Sequence, residues 1–335
     1  MNQPPTDTEL GEVLRRILGP TGRIARLERA PSRYASSYPL EELKVWLDGG
    51  QVLELMMKNV GRDSLSQDAQ LAKPVFLRNP RREIKAYLEI VPRVENGPPK
   101  FHGAEVDETA GRFLIFIEKV PGVELFQVGD LEMWQAVARW LARFHLATEA
   151  AVVSAPPELI RYDSDWYRTW ARRALEFARE LTPAARNVLE NYDPFVERLL
   201  SLPRCCIHGE FYASNVLVHR HETSTRVAPV DWEMAAVGPG LVDLAALVAG
   251  KWTDFKRTAI ALSYFDERKK AMAARSGEGD RLNDSTSLMW LLDHARLHLA
   301  IQWLGWSDRW LPPAEHRHDW MREMIELADR IRSHT

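Results

Sequence analysis

Cysteine is almost missing from this 335-residue chain: there are two, Cys205 and Cys206, side by side. Adjacent cysteines cannot staple distant segments, which excludes a disulfide-framed secreted scaffold and suits a reducing compartment. No apolar run approaches the roughly 18 residues that a membrane-spanning helix needs. The opening MNQPPTDTEL lacks the basic start and apolar stretch of a secretion signal. A cytoplasmic protein with no membrane contact is therefore expected. An excess of one charge is missing too: 44 Lys and Arg face 47 Asp and Glu, a net charge of −3. Such a surface gives no electrostatic case for binding nucleic acid. Internal repeats and low-complexity tracts are likewise absent. What the chain does have is 45% hydrophobic residues, ordinary for a globular protein, and an unusual twelve Trp.

Periodicity divides the chain near Pro121-Gly122. ELGEVLRRILG reads as a short amphipathic helix ended by Gly19-Pro20. GRIARLERA, LEELKVWLDG and QVLELMMKNV alternate like half-buried strands, with Gly49-Gly50 as a tight turn. NPRREIKAYLEIVPRV follows as a helix lined by Ile84, Tyr87, Leu88 and Val91, and RFLIFIEKVPG as a buried strand. Beyond the Pro-Gly break, helical spacing dominates: DLEMWQAVARWLARFHLATEA, DSDWYRTWARRALEFAREL, AARNVLENYDPFVERLLSLP, STSLMWLLDHARLHLAIQWLGW and HDWMREMIELADRIRSH. Two short apolar runs, NVLVH and RVAPVD, form a hairpin inside this helical part. The expected class is α+β: a small antiparallel-sheet lobe over residues 1–120 and a larger, mainly helical lobe over 121–335.

The hairpin is entered through HGEFYASN and left through VDWE. Phosphoryl transfer from ATP needs one carboxylate to take the proton of the attacking hydroxyl, and oxygen ligands to hold magnesium against the phosphates. Glu210 suits the first role; Asn215 and Asp231, at the same end of adjacent strands, suit the second. A strand lysine should hold the phosphates and a helix carboxylate should pair with it; Lys58 and Glu83 fit. Backbone groups of Ile117, Lys119 and Val120, where the strand runs out into Pro-Gly, can meet adenine. Other chemistries find no support. The zinc-deaminase motif needs a Pro-Cys-x-x-Cys after the His-x-Glu, whereas both cysteines precede His208, and there is no His-Glu-x-x-His or Gly-x-Ser-x-Gly.

In these residues the chain resembles the aminoglycoside-phosphotransferase and choline-kinase branch of the protein-kinase-like fold. The likeness runs from about Arg23 to Lys251 and rests on Lys58, Glu83, IEKVPG, HGEFYASN, VDWE and GPGLVDLA. It implies a bilobal kinase-like fold, ATP and Mg2+ as cofactors, and a small-molecule hydroxyl acceptor. It implies further that Glu210 is the base, that Asn215 and Asp231 are metal ligands, and that His208 and Asp243 brace the catalytic loop. Two departures stand out. The base position, usually Asp, holds the longer Glu210, and the PSRYASSYP loop over the phosphates has no glycine, although Ser-rich loops occur in the family. The first departure keeps a second reading open, a nucleotide- or ligand-binding pseudokinase.

The tryptophans suit helix packing. A sharper expectation places Trp303, Trp306 and Trp310, with Asp293 or Asp308, around the acceptor; aromatics with carboxylates suit a cationic or sugar-bearing molecule. His145, on the WLARFHL helix, is expected in the core. The identity of the acceptor, ATP against GTP, and the oligomeric state have no motif that would reveal them.

Overall fold

A computed structural model describes residues 4–19, 23–94, 97–178, 180–220, 224–276, 285–307 and 318–334. The N-terminal part opens with α1 (Asp7–Leu18), held by a reciprocal capping box between Thr6 and Glu9. Strands β1 (Ile24–Pro31), β2 (Leu40–Leu47) and β3 (Val52–Asn59) follow, then the short helices α2 (Gln67–Ala72) and α3 (Pro80–Lys85), then β4 (Phe101–Asp107) and β5 (Arg112–Glu118). The strands form one antiparallel sheet in the order β1-β2-β3-β5-β4. Alternation along the strands sorts their side chains. Leu43, Val45, Leu55, Met57, Leu114 and Phe116 pack with Leu10, Val13 and Leu14 of α1, while Phe113, Ile115 and Ile117 join the main core on the opposite face. Both faces of β5 are thus covered, which is why its sequence is a continuous apolar run.

Two expectations here need correcting. The sheet has a fifth strand, β4, which shows little alternation because most of it is half-buried. The helix over 79–94 is not uniform: after α3 it widens into a π turn at Ala86–Ile90 and tightens to a 3-10 turn at Val91–Arg93. The extra residue in the π turn shifts the register. Ile84, Tyr87 and Val91 are buried, but Leu88 is turned outward and half exposed.

Past the Pro-Gly break come β6 (Val123–Glu124), α4 (Leu131–Thr148), β7 (Ile160–Arg161), α5 (Ser164–Phe177), α6 (Pro183–Glu190) and α7 (Asp193–Leu200). The stretch read as one helix over 184–203 is two, broken at Asn191 and Tyr192. Then follow β8 (Arg204–Ile207), β9 (Val216–Arg220), β10 (Thr225–Pro229), β11 (Ala236–Pro239), α8 (Leu241–Leu247), α9 (Asp254–Ser276), α10 (Ser285–Leu304) and α11 (Trp320–Ser333). The long α9 is a further element missed by periodicity. The hairpin β9-β10 is joined by β6 to make a three-stranded sheet, and β7-β11-β8 form another. Trp134, Trp140, Trp166, Trp170 and Trp232 are all buried, so much of the Trp excess is packing. Among the described residues, no helix is long and apolar enough to cross a membrane.

Arg226 on β10 fastens the hairpin to the end of β5. Its guanidinium forks onto both Glu118 oxygens at 2.8 and 2.7 Å and donates to the Gly97 and Pro98 carbonyls. β6 pairs with β9 beside it. The exit of β5 and the hairpin with Asn215 and Asp231 at its mouth are therefore one fastened unit.

Candidate active site

Lys58 lies on the sheet face opposite Leu55 and Met57, pointed at α3. Its ammonium donates to Glu83 Oε2 at 2.7 Å and to Asp231 Oδ1 at 2.6 Å. Residues 58, 83 and 231, read separately from the sequence, thus meet at one nitrogen. Burial disfavours the Lys58 charge, but the Asp231 and Glu83 carboxylates hold its pKa well above the ordinary lysine value. Burial pushes the Glu83 carboxyl up to about 7, against the pull of Lys58. Burial also works against ionisation of Asp231, yet Lys58 holds this carboxyl below its usual range. Asp231 has φ 65°, a left-handed conformation that a non-glycine residue rarely adopts and that clusters at functional sites.

The catalytic-loop candidate is fastened from behind. Asp243, fully buried on α8, accepts from His208 N at 2.7 Å and from Gly209 N at 2.9 Å. His208 Nε2 lies 2.9 Å from the Val230 carbonyl, so it must carry the proton; Nδ1 then accepts from Glu210 N at 3.3 Å. Burial lowers the His208 pKa, in keeping with a neutral ring. Gly209 has φ 84°, and a Cβ there would sit 2.2 Å from the Met234 carbonyl oxygen, so only glycine fits the turn. Asn215 donates its side-chain N–H to the Glu210 carbonyl at 3.0 Å, which reserves Oδ1 for another partner. Glu210 itself is half-buried. Burial, with Glu233 and Asp231 adding negative charge, pushes its carboxyl up to about 8, against the opposing pull of Lys73 and Lys58.

Four participants had no sequence reading. Lys73, just after α2, forms a short ion pair with Glu233, and both are largely buried. Tyr38, at the end of the Ser-rich loop, lies over both ammonium groups, 5.5 Å from Lys58 and 5.3 Å from Lys73. Arg82 donates to the carbonyls of Leu77, Glu158 and Glu233, each at 2.9 Å. Glu233 stood in the VDWE motif as a possible signal. Lys73 had none, since its partner is 160 residues away.

At the strand exit, Ile117 lies mid-sheet between Met56 and Phe101. Lys119 N donates to the Glu54 carbonyl at 3.0 Å and its ammonium to Glu42 at 2.5 Å, so that N–H is spent within the protein. Of the acceptor candidates, Trp303 is near the loop: its Nε1 donates to the Tyr212 hydroxyl at 2.7 Å, two residues past Glu210. Trp306 adjoins Trp303 and stacks on Trp170. Asp293 is not in this group. It is bound by Arg296 at 2.9 Å and Arg330 at 2.8 Å, ten residues (about 15 Å) back along α10 from Trp303. Asp308 and Trp310 lie outside the described residues.

A sheet carrying the Lys58–Glu83 pair, followed by a helical part that carries the loop and the hairpin, is a kinase-like fold. It is similar over its whole length to solved structures. Aminoglycoside 2'-phosphotransferase-IIIa in complex with GDP matches at 14% identity and TM-score 0.56, over 98% of this chain and 99% of that one. A microcompartment-associated aminopropanol kinase matches at 14% and 0.57, over 95% and 94%. The choline kinase LicA from Streptococcus pneumoniae matches at 12% and 0.54, over 98% and 99%. At such identities the likeness bears on the fold. No curated protein matches by sequence. The chain belongs to the phosphotransferase enzyme family, whose model matches residues 68–277, well over half of it. By family it is a phosphotransferase.

Proposed function

We propose that this enzyme transfers the γ-phosphoryl group of ATP to a hydroxyl of a small molecule. The observation that carries the reading is the convergence of Lys58, Glu83 and Asp231 on one charged centre, with Glu210 close enough to feel both Asp231 and Lys58. The GDP in a similar structure supports a nucleotide donor. Lys58, oriented by Glu83, binds the phosphates. The acceptor oxygen bonds to the γ-phosphorus while the bond from that phosphorus to the bridging oxygen breaks, and ADP leaves. Glu210 takes the hydroxyl proton and passes it to solvent. A raised pKa suits a base working near neutrality.

The donor set also fits Mg2+, which favours one or two carboxylates or amide carbonyls together with substrate phosphates. Asp231 and Asn215 Oδ1 would hold it, and when bound it would neutralise phosphate charge. His208 and Asp243 hold the loop backbone. Val120 N–H, which has no protein acceptor among the described residues, is the hinge donor for adenine, rather than Lys119. Lobes 1–120 and 121–335 then meet at this strand exit. Trp303 and Trp306, tied to the loop through Tyr212, form part of the acceptor wall. Asp293 is left out because two arginines already neutralise it.

The test is the thermal midpoint with ATP plus magnesium and with ATP plus EDTA, in the wild type and in Asp231→Asn. Saturating nucleotide should raise it by about 3 °C only with magnesium, and Asp231→Asn should abolish the rise. A shift indifferent to magnesium or to Asp231→Asn would refute the site.

A further inference from the structure

Behind the loop, Asp243 has a third partner. His145 Nε2 on α4 lies 3.1 Å from Asp243 Oδ2, and His145 Nδ1 lies 2.9 Å from the Tyr264 hydroxyl on α9. All three side chains are buried. The direction of these bonds follows from what each group can offer. A carboxylate only accepts, so Nε2 carries the proton, and the lone pair on Nδ1 accepts from the Tyr264 hydroxyl. Tyr264 in turn accepts a hydrogen bond from Arg268, which is ion-paired to Glu149. Burial pushes the Tyr264 pKa up, which keeps its hydroxyl proton in place to donate. The bonds thus run one way, from Arg268 through Tyr264 and His145 to Asp243, and Asp243 accepts from the amides of His208 and Gly209.

The backbone makes room for this chain. Gly240, just before α8, passes so close to the imidazole that a Cβ would lie 2.5 Å from His145 Nδ1. His145 is one partner removed from the loop, behind Asp243, and Tyr264 is two removed, so they can act on Glu210 only through the position of the loop.

We infer that His145 and Tyr264 are positioning residues: by fixing Asp243 Oδ2 and with it the carboxylate that accepts from the His208 and Gly209 amides, they set the backbone from which Glu210 reaches the acceptor. This gives α9, which contributes nothing to the charged centre, a part in transfer. The inference rests on Glu210 as the base, so its test needs a readout that is independent of turnover.

Tyr264→Phe removes one oxygen and keeps the ring. Hydrogen exchange at the His208 and Gly209 amides should quicken about tenfold, as for loss of a bond supporting a charged acceptor, while amides elsewhere keep wild-type rates. With a turned-over acceptor, kcat should fall about tenfold at unchanged KM for nucleotide and acceptor. His145→Gln, which keeps an N–H for Asp243, should retain more activity than His145→Ala. Tyr192→Phe is the control: its hydroxyl meets His298 at 3.2 Å in another buried Tyr–His pair, which has no hydrogen bond to Asp243 or the loop among the described residues. Wild-type exchange at His208 and Gly209 in Tyr264→Phe, or uniform acceleration across the protein, overturns the inference whether or not an acceptor is known. Failure to turn over any acceptor strikes at the proposed function alone.

Discussion

Shortening Glu210 to Asp is the perturbation that most directly tests how this site is built. The change withdraws the carboxylate by about 1.5 Å, one carbon–carbon bond. In a loose loop the backbone could advance by that distance. Here it is held on every side: Glu210 N by His208 Nδ1, Glu210 O by Asn215 Nδ2, and the two preceding amides by Asp243. Gly209 is in turn pressed against the Met234 carbonyl. The lost reach therefore stays lost. Misplacement on this scale costs about a hundredfold in rate, or about 2.7 kcal/mol of transition-state stabilisation. Coupled-assay kinetics should show kcat falling by that factor. The nucleotide KM should hold, since Lys58, Glu83 and Asp231 are untouched. An Asp variant as fast as the wild type or faster would refute the reasoning. It would mean the frame is set for a shorter side chain, and the pseudokinase reading of Glu210 would gain.

The other predictions concern charge. Because folding raises the Glu210 carboxyl from about 4.5 to about 8, the native state holds its proton more tightly than the unfolded chain. The Glu210 contribution to the stability of the nucleotide-free protein should thus be fully present below the unfolded pKa and be lost as pH rises from about 4.5 to 8, so that over this range the urea midpoint of wild type falls relative to that of Glu210→Gln. The same ionisation predicts that kcat/KM climbs through about pH 8, and an acidic limb below pH 6 would argue against Glu210 as the base. Lys58→Met leaves Glu83 and Asp231 without their shared cation and should cost about 3 kcal/mol of stability at pH 8. The loss should shrink at pH 5, where Glu83 is protonated; a pH-independent loss would contradict the charge argument. Trp303→Phe removes the donor to the Tyr212 hydroxyl and should lower stability by about 1 kcal/mol in urea titrations, with the larger kinetic effect on the acceptor KM.

The charged centre was legible because its parts lie on regular elements. Lys58 sits on an alternating strand and Glu83 on a capped helix. Asn215 and Asp231 flank a hairpin whose two apolar runs announce it. What escaped was arranged by tertiary contact. Strand β4 has a glycine at its middle that reads as a breaker; it is there because Ile17 of α1 lies so close that a Cβ would approach it within 2.8 Å. Helix α9 carries Arg257 and Arg268 on its buried face among Ile260, Ala261 and Tyr264, so its apolar stripe is interrupted. Leu88 was misplaced because a π turn has no composition signal. His145 was read as core and is buried, but its two hydrogen-bond partners lie 98 and 119 residues away.

The left-handed backbone at Asp231 has a consequence for how this site can vary. Of the L residues, Asp and Asn tolerate φ near 65° best, and most others add about 1–2 kcal/mol of steric strain. An alanine scan at 231 would therefore confound lost charge with a bent-out turn, and Asn is the informative probe there. At 210 no such filter operates, and what limits the side chain is reach alone. Asp231 and Glu210 live under different rules, one governed by shape and the other by length. A lengthened carboxylate could accordingly settle at 210, where the frame around the loop can be matched to it, while 231 stays closed to that kind of drift.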